Sequence, residues 1–207
     1  MLKRQWVGND IVDLKDPQAQ GKAHNERFLA RICADVELPL VTQAKFPHVA
    51  LWTLWSIKEA SYKVVQKCLP AAKAIPNQFV CQEGENGVWD CRYQEMRCRV
   101  RVAVNDDFVH AVACLADGII HWDNVVVKTD ELLTGGNPSE AVRQLAVHLL
   151  REKGYQDCSI VRRKELQRIL PPQIYQGGIP LPNSDISLSH DGRFVAVALW
   201  LKPPRGV

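Results

Sequence analysis

The sequence predicts an α+β chain organised as a pseudo-dimer: two similar modules, each a small antiparallel sheet packed on a long helix, with a site at the seam. Three observations predict this. Two stretches, Leu51–Gln66 and Glu140–Lys153, repeat apolar residues at helical spacing. Two similar apolar runs, FVHAVACL at 108–115 and FVAVALWL at 194–201, read as strands that close each half. A break at Gly135-Gly136-Asn137-Pro138 divides an N-terminal module, 1–134, from a C-terminal module, 135–207.

In chain order, Gln5–Leu14 alternates apolar and polar residues as a short strand, in which Gly8 and Asn9 mark a bulge or a close backbone approach. Asn25–Glu37 has helical spacing in Phe28, Leu29, Ile32, Cys33 and Val36, and Pro39–Pro47 is a connection. The central helix Leu51–Gln66 follows, bracketed at its end by Pro70 and Pro76. Between Gln78 and Asp117 the period becomes two. Met96, Cys98, Val100, Val102 and Val104 alternate with Arg97, Arg99 and Arg101, a half-buried strand with a basic outer face. Asn105-Asp106-Asp107 turns it into Phe108–Leu115, and Glu83–Gly87 is another turn. Gly118–Thr129 reads as one more strand. Ser139 reads as the N-cap of the second helix and Gly154 as its C-cap. Arg162, Arg163, Lys164 and Arg168 form a basic cluster, and Gly177–Pro180 is a loop. Ile186–Trp200 reads as strand, turn at Asp191-Gly192, strand.

Composition narrows the function classes. A 207-residue chain that is 46% hydrophobic can bury a proper core. Its net charge of +3 suits an anionic ligand or an acidic protein partner and is too weak to argue for nucleic acid. The start, MLKRQWVGNDIVDL, is too polar for a signal peptide, and no run approaches the length of a membrane span. Seven cysteines, an odd number without zinc spacing, read as reduced thiols of a cytosolic, cytoplasmic protein.

Chemistry concentrates in the central helix. Glu59 and Lys63 are four apart and share a face. Alone they would be a surface ion pair worth a few tenths of a kcal/mol, but flanking tryptophans suggest a groove lined by protein. A carboxylate and an ammonium in such a groove suit a metal-bound, phosphate-bearing substrate. A bulged first strand would aim Asp10 at the same ligand. Ser189 and His190 are adjacent on a strand and face opposite ways, so His190 does not activate Ser189. As two donors beside a turn they suit phosphate binding. The acidic and lysine residues lie in one half and Ser189-His190 in the other, so a shared site has to span the seam.

With Gly8-Asn9-Asp10, Trp55-Ser56-Ile57-Lys58-Glu59-Ala60 completed by Lys63, and Ser187-Leu188-Ser189-His190 in view, the chain resembles the 4′-phosphopantetheinyl transferase superfamily. A partial match, Arg27-Phe28-Leu29-Ala30-Arg31 with Glu37, supports it. The motif order resembles the short holo-acyl-carrier-protein synthase type. The length resembles the larger pseudo-dimeric surfactin-synthetase-activating type, with the halves swapped.

The resemblance implies transfer of 4′-phosphopantetheine from coenzyme A to a serine of an acyl or peptidyl carrier protein, releasing 3′,5′-ADP. It implies Asp10 and Glu59 as Mg²⁺ ligands on the coenzyme A diphosphate, with Glu59 also the base for the serine. It makes Lys63 a phosphate contact that helps neutralise the leaving group. Ser189 and His190 become donors to the 3′-phosphate, joined by Arg162 and Arg163. Arg27, Arg31 and the Arg97/Arg99/Arg101 stripe become candidates for docking an acidic carrier. Val12 stands where the larger type has a third acidic ligand, with Asp13 on the opposite face, so a water completes the ion's shell. Ile179 stands where a Lys or Arg commonly precedes the proline. The alternative is a non-catalytic module that binds coenzyme A or a carrier protein.

Overall fold

The computed structural model describes residues 5–165 and 168–202; residues 1–4 of the polar start and the Arg168 side chain lie outside the described residues. The first sheet has the order β1-β5-β4-β3-β2, from β1 (Val7–Asp13), β2 (Val80–Glu83), β3 (Val88–Tyr93), β4 (Met96–Val104) and β5 (Phe108–Leu115). The second has the order β12-β13-β6, from β6 (Val125–Glu131), β12 (Ser184–Asp191) and β13 (Phe194–Leu201). A small third sheet joins β7 (Cys158–Val161), β10 (Gln173–Gln176) and β11 (Ile179–Pro180). β8 (Lys164–Glu165) pairs with β9 (Arg168–Ile169). All these pairings are antiparallel. The helices are α1 (Glu26–Ile32), α2 (Leu38–Thr42), α3 (Pro47–Cys68) and α4 (Pro138–Glu152).

The strand period of two stacks these elements into layers. Along β13, Val195, Val197, Leu199 and Leu201 face α4 with Val142, Leu145, Ala146, Leu149 and Leu150. The alternate Ala196, Ala198 and Trp200 face the first sheet, against Ile11, Val7, Val112 and Cys114. Along β5, Ala111 and Ala113 pack with Leu54, Ile57, Ala60 and Val64 of α3. The order of layers is therefore α3, first sheet, second sheet, α4. β5 and β13 are covered on both faces, which is why both read as nearly unbroken apolar runs.

Several expectations change. α3 is longer than Leu51–Gln66: Pro47 starts it, where a missing N–H costs nothing, and it runs to Cys68, two residues before Pro70. The single helix over Asn25–Glu37 is broken: α1 ends at Ile32, a 3-10 turn spans Asp35–Glu37, and the supposed connection contains α2. Glu37 causes the break. It is fully buried, and its carboxylate accepts the N–H of Ala34 and Cys81 and the ammonium of Lys58. The first strand carries no bulge. Its register with β5 is unbroken from Val7↔Cys114 to Asp13↔Phe108. The strand expected at Gly118–Thr129 begins at Val125, after a 3-10 turn at Trp122–Asn124. It joins β13, in the sheet that also holds β12.

Candidate functional site

Gly8 decides how β1 meets α3. A Cβ there would lie 2.0 Å from the carbonyl oxygen of Ala60 and 2.9 Å from Val64 Cγ2, so strand and helix backbones touch. Of the two meanings a strand glycine carried, the close approach is the one found. The contact brings two helix side chains onto the strand. Lys63 Nζ donates to the main-chain oxygen of Asn9 at 2.7 Å and to Asp10 Oδ1 at 3.0 Å, and Ser56 Oγ donates to the main-chain oxygen of Asp10 at 2.8 Å. Ordinary alternation thus aims Asp10 at α3, as Gly8 and Val12 are aimed. Val12 itself packs with Trp52 and is 4% exposed, so no acid could reach the site from that position without disturbing the aromatic cluster.

The opposite edge of β1 is held by β12 side chains. The N–H groups of Val7, Asn9 and Asp13 donate to Asp185 Oδ2, Ser187 Oγ and Asp191 Oδ2, at 2.8, 2.9 and 2.8 Å, each pair offset by 178 residues. Lys67 Nζ bridges the same seam, donating to the oxygens of Val7 and Ile186 and to Asp185. Asp13 faces away from Asp10 and binds Arg193 through both oxygens. It is an anchor for the β12–β13 turn and not a substitute ligand.

Between β1, α3, β12 and α4 opens a cavity of about 230 Å³, lined by Asp10, Lys63, Ser139, Val142, Arg143, Arg162, Leu188, Ser189 and His190. Asp10, Lys63, Arg162, Ser189 and His190 were singled out in the sequence, and the fold brings them to one space. Glu59 lies one turn before Lys63 on α3 and senses the charge of Asp10. Arg163 does not line the cavity; its guanidinium hydrogen-bonds the Tyr175 hydroxyl and lies over that ring. Ser139 and Arg143 were missed. They lie four apart on the polar side of α4, which in sequence looks like any solvated helix face.

The electrostatics of this space are divided. Burial raises the Glu59 carboxyl to about 7, helped by the Asp10 charge and opposed by Lys63. Burial also raises Asp10, against the pull of Lys63 and with a contribution from Asp191. Across the cavity, burial lowers Arg162, as does the charge of Arg143; burial and the charges of Lys63 and Arg162 lower His190. One wall sets two carboxylates against the single charge of Lys63, and the other gathers Arg143, Arg162 and His190. The first wall fits a hard divalent cation held by carboxylate oxygens. Among the described residues no group of three or more His, Cys, Asp and Glu side chains is placed to hold a metal ion.

The arginine stripe is not a free basic surface. Arg97 binds Asp90 through two nitrogens, Arg99 lies 3.4 Å from the same carboxylate, and Arg101 stacks over Trp122. No helix among the described residues is long and apolar enough to cross a membrane.

A comparison with family models matches residues 6–113 to the 4′-phosphopantetheinyl transferase superfamily. Among solved structures, the chain is similar to the holo-[acyl-carrier-protein] synthase of Neisseria meningitidis, at 22% identity over 53% of this chain and 96% of that one, with a TM-score of 0.45. It is also similar to the holo-[acyl-carrier-protein] synthase of Thermotoga maritima, at 14% identity over 84% of each chain, with a TM-score of 0.43. No curated protein matches.

Proposed function

The chain belongs to the 4′-phosphopantetheinyl transferase superfamily, and from that premise we propose that it moves 4′-phosphopantetheine from coenzyme A to a serine hydroxyl of an acyl or peptidyl carrier protein. One observation carries this reading. A cavity lined on one side by Asp10 and Lys63, with Glu59 one helical turn from Lys63, and on the other by Arg143, Arg162, His190 and Ser189 suits a polyphosphate ligand with its cation. We divide the pseudo-dimer within 116–124, ahead of β6, with the site at the seam.

Asp10 and Glu59 would hold Mg²⁺, which when bound neutralises charge on the coenzyme A diphosphate. Glu59 takes the proton of the carrier serine; a base titrating near neutrality is well matched to that task. The serine oxygen forms a bond to the β-phosphorus, the bridging P–O bond breaks, and 3′,5′-ADP leaves with the electron pair. Lys63, fixed by Asn9 and Asp10, meets the developing negative charge. Ser189, His190, Arg143 and Arg162 hold the 3′-phosphate. Carrier docking falls to Arg27 and Arg31, both exposed on α1.

The test is the mass of a carrier protein incubated with coenzyme A, Mg²⁺ and this protein. The wild type adds one phosphopantetheine. Glu59→Gln loses transfer by roughly 10²–10⁴-fold while thermal unfolding stays at or above that of the wild type, since the variant no longer ionises a buried carboxyl. Near-wild-type transfer by that variant removes the base role. Coenzyme A binding without any mass gain turns the reading to the non-catalytic module.

A further inference from the structure

Asn9 is fully buried on β1, and its side chain reaches across the seam. Nδ2 donates to Ser189 Oγ at 2.9 Å and to His110 Nε2 at 3.2 Å. Its Oδ1 has no hydrogen-bond partner among the described residues. The backbone is equally tied: N–H to Ser187 Oγ and the carbonyl oxygen to Lys63. The proposed chemistry uses neither the Asn9 side chain nor His110, yet a buried amide with one end unsatisfied costs stability. An apolar residue at position 9 would leave His110 and Ser189 unpaired instead.

We propose that His110 and Asn9 are positioning residues that turn the Ser189 hydroxyl proton toward the cavity, making Ser189 a donor to an anionic oxygen of the bound ligand. Both protons of the Asn9 amide are used, one on each acceptor. Ser189 Oγ therefore receives a hydrogen bond from Asn9 and keeps its own proton, and among the described residues nothing takes that proton. Ser189 is among the residues that line the cavity, which leaves a ligand there as the acceptor for that proton. A phosphate monoester or diphosphate oxygen is an acceptor and needs donors.

His110 holds the arrangement in this sense. Burial, with the charge of Lys63, lowers its ring to about 4, so at neutral pH it is uncharged. With Nε2 accepting from Asn9, the ring proton sits on Nδ1. Turned over, the Asn9 amide would present Oδ1 to both neighbours. Ser189 would then give its proton to Asn9 and show the cavity a lone pair. That form needs the other tautomer, with the ring proton on Nε2, so amide and ring are set together.

This inference rests on the proposed coenzyme A site and concerns how that site chooses its ligand. The experiment is calorimetric binding of coenzyme A and of dephospho-coenzyme A, which lacks the 3′-phosphate, together with kcat and KM for transfer. Asn9→Asp places an acceptor against Ser189, and His110→Phe removes the latch while filling its space. Each is expected to weaken coenzyme A binding by about tenfold or more, seen as a raised KM with kcat little changed, and to leave dephospho-coenzyme A binding as in the wild type. His110→Gln, which can accept through its amide oxygen, restores binding relative to His110→Phe. Asn9→Asp adds nothing to Ser189→Ala, because both act through one hydroxyl. A wild type that binds coenzyme A and folded variants that match it for both ligands overturn the positioning roles alone. A wild type that does not bind coenzyme A overturns the site reading and this inference with it. Should Asn9→Asp not fold, His110→Phe and His110→Gln decide.

Discussion

Replacing Gly8 with alanine adds one methyl group where the backbone of α3 lies against β1. Gly8 is extended and pairs with Ala113, so its backbone would accept a side chain. The obstacle is α3. The new carbon would lie 2.0 Å from the Ala60 carbonyl oxygen, where ordinary contact begins near 3.4 Å. Strand and helix have to part by about 1.4 Å, and neither is a flexible side-chain end. Overpacking of this kind costs about 1–3 kcal/mol when side chains can give, and here backbone has to move, so about 3 kcal/mol is expected. For a domain of this size that lowers the Tm by roughly 6–12 °C. The site feels it too, because parting β1 from α3 stretches the 3.0 Å contact of Lys63 with Asp10 beyond hydrogen-bond range. Urea unfolding of both proteins gives the stability difference, and carrier-protein mass under folding conditions gives the transfer rate. A stability within about 0.5 kcal/mol of wild type, with full transfer, refutes the claim that backbone contact at Gly8 sets the site.

Three other outcomes are expected. Lys67→Met leaves the Asp185 carboxylate, 3% exposed, without its cation, at a cost of about 3–5 kcal/mol in urea unfolding; adding Asp185→Asn recovers part of it. Burial would raise Asp13, but the hydrogen bonds from Arg193 outweigh it and hold the carboxyl at about 2. A depressed carboxylate stabilises above its unfolded value of 3.8 and loses that effect as pH falls toward 2, so Arg193→Ala should flatten the acid limb of a Tm–pH curve in this window. Asp10 and Glu59 are shifted the other way: ionising them costs the fold stability as pH rises from 4.5 toward 7 for Glu59. Added Mg²⁺ should therefore raise the Tm more at about pH 8 than at about pH 5.5, since a bound cation needs the ionised form. Equal shifts at both values would count against carboxylate ligation.

The elements that the sequence made legible are those whose burial follows one period. α3, α4, the β4–β5 hairpin and the β12–β13 hairpin sit where Leu54, Val142, Val100 and Val197 placed them. The break after Ile32 was illegible because it depends on Glu37 meeting Lys58 and the Cys81 N–H, partners 21 and 44 residues away. The pairing of β6 was hidden for a similar reason, since a strand's partner is a property of the sheet and not of the segment. Asp10, Lys63, Ser189, His190 and Arg162 stood out by type and motif. Arg143 and Ser139 did not, because a helix face turned to a cavity carries the same residues as one turned to water. Asp90 was passed over, though the Asp90↔Arg99 register puts it beside the arginines it neutralises.

The fastening of β1 to β12 runs from main chain on one side to side chains on the other. Freedom to vary is therefore unequal across the join. Any residue but proline supplies an amide proton, so as far as this fastening goes β1 could drift in identity without loosening it. Asp185, Ser187 and Asp191 have no such latitude, since each must keep an oxygen at a fixed height. A randomised library of β12 should keep an oxygen-bearing side chain at 185, 187 and 191.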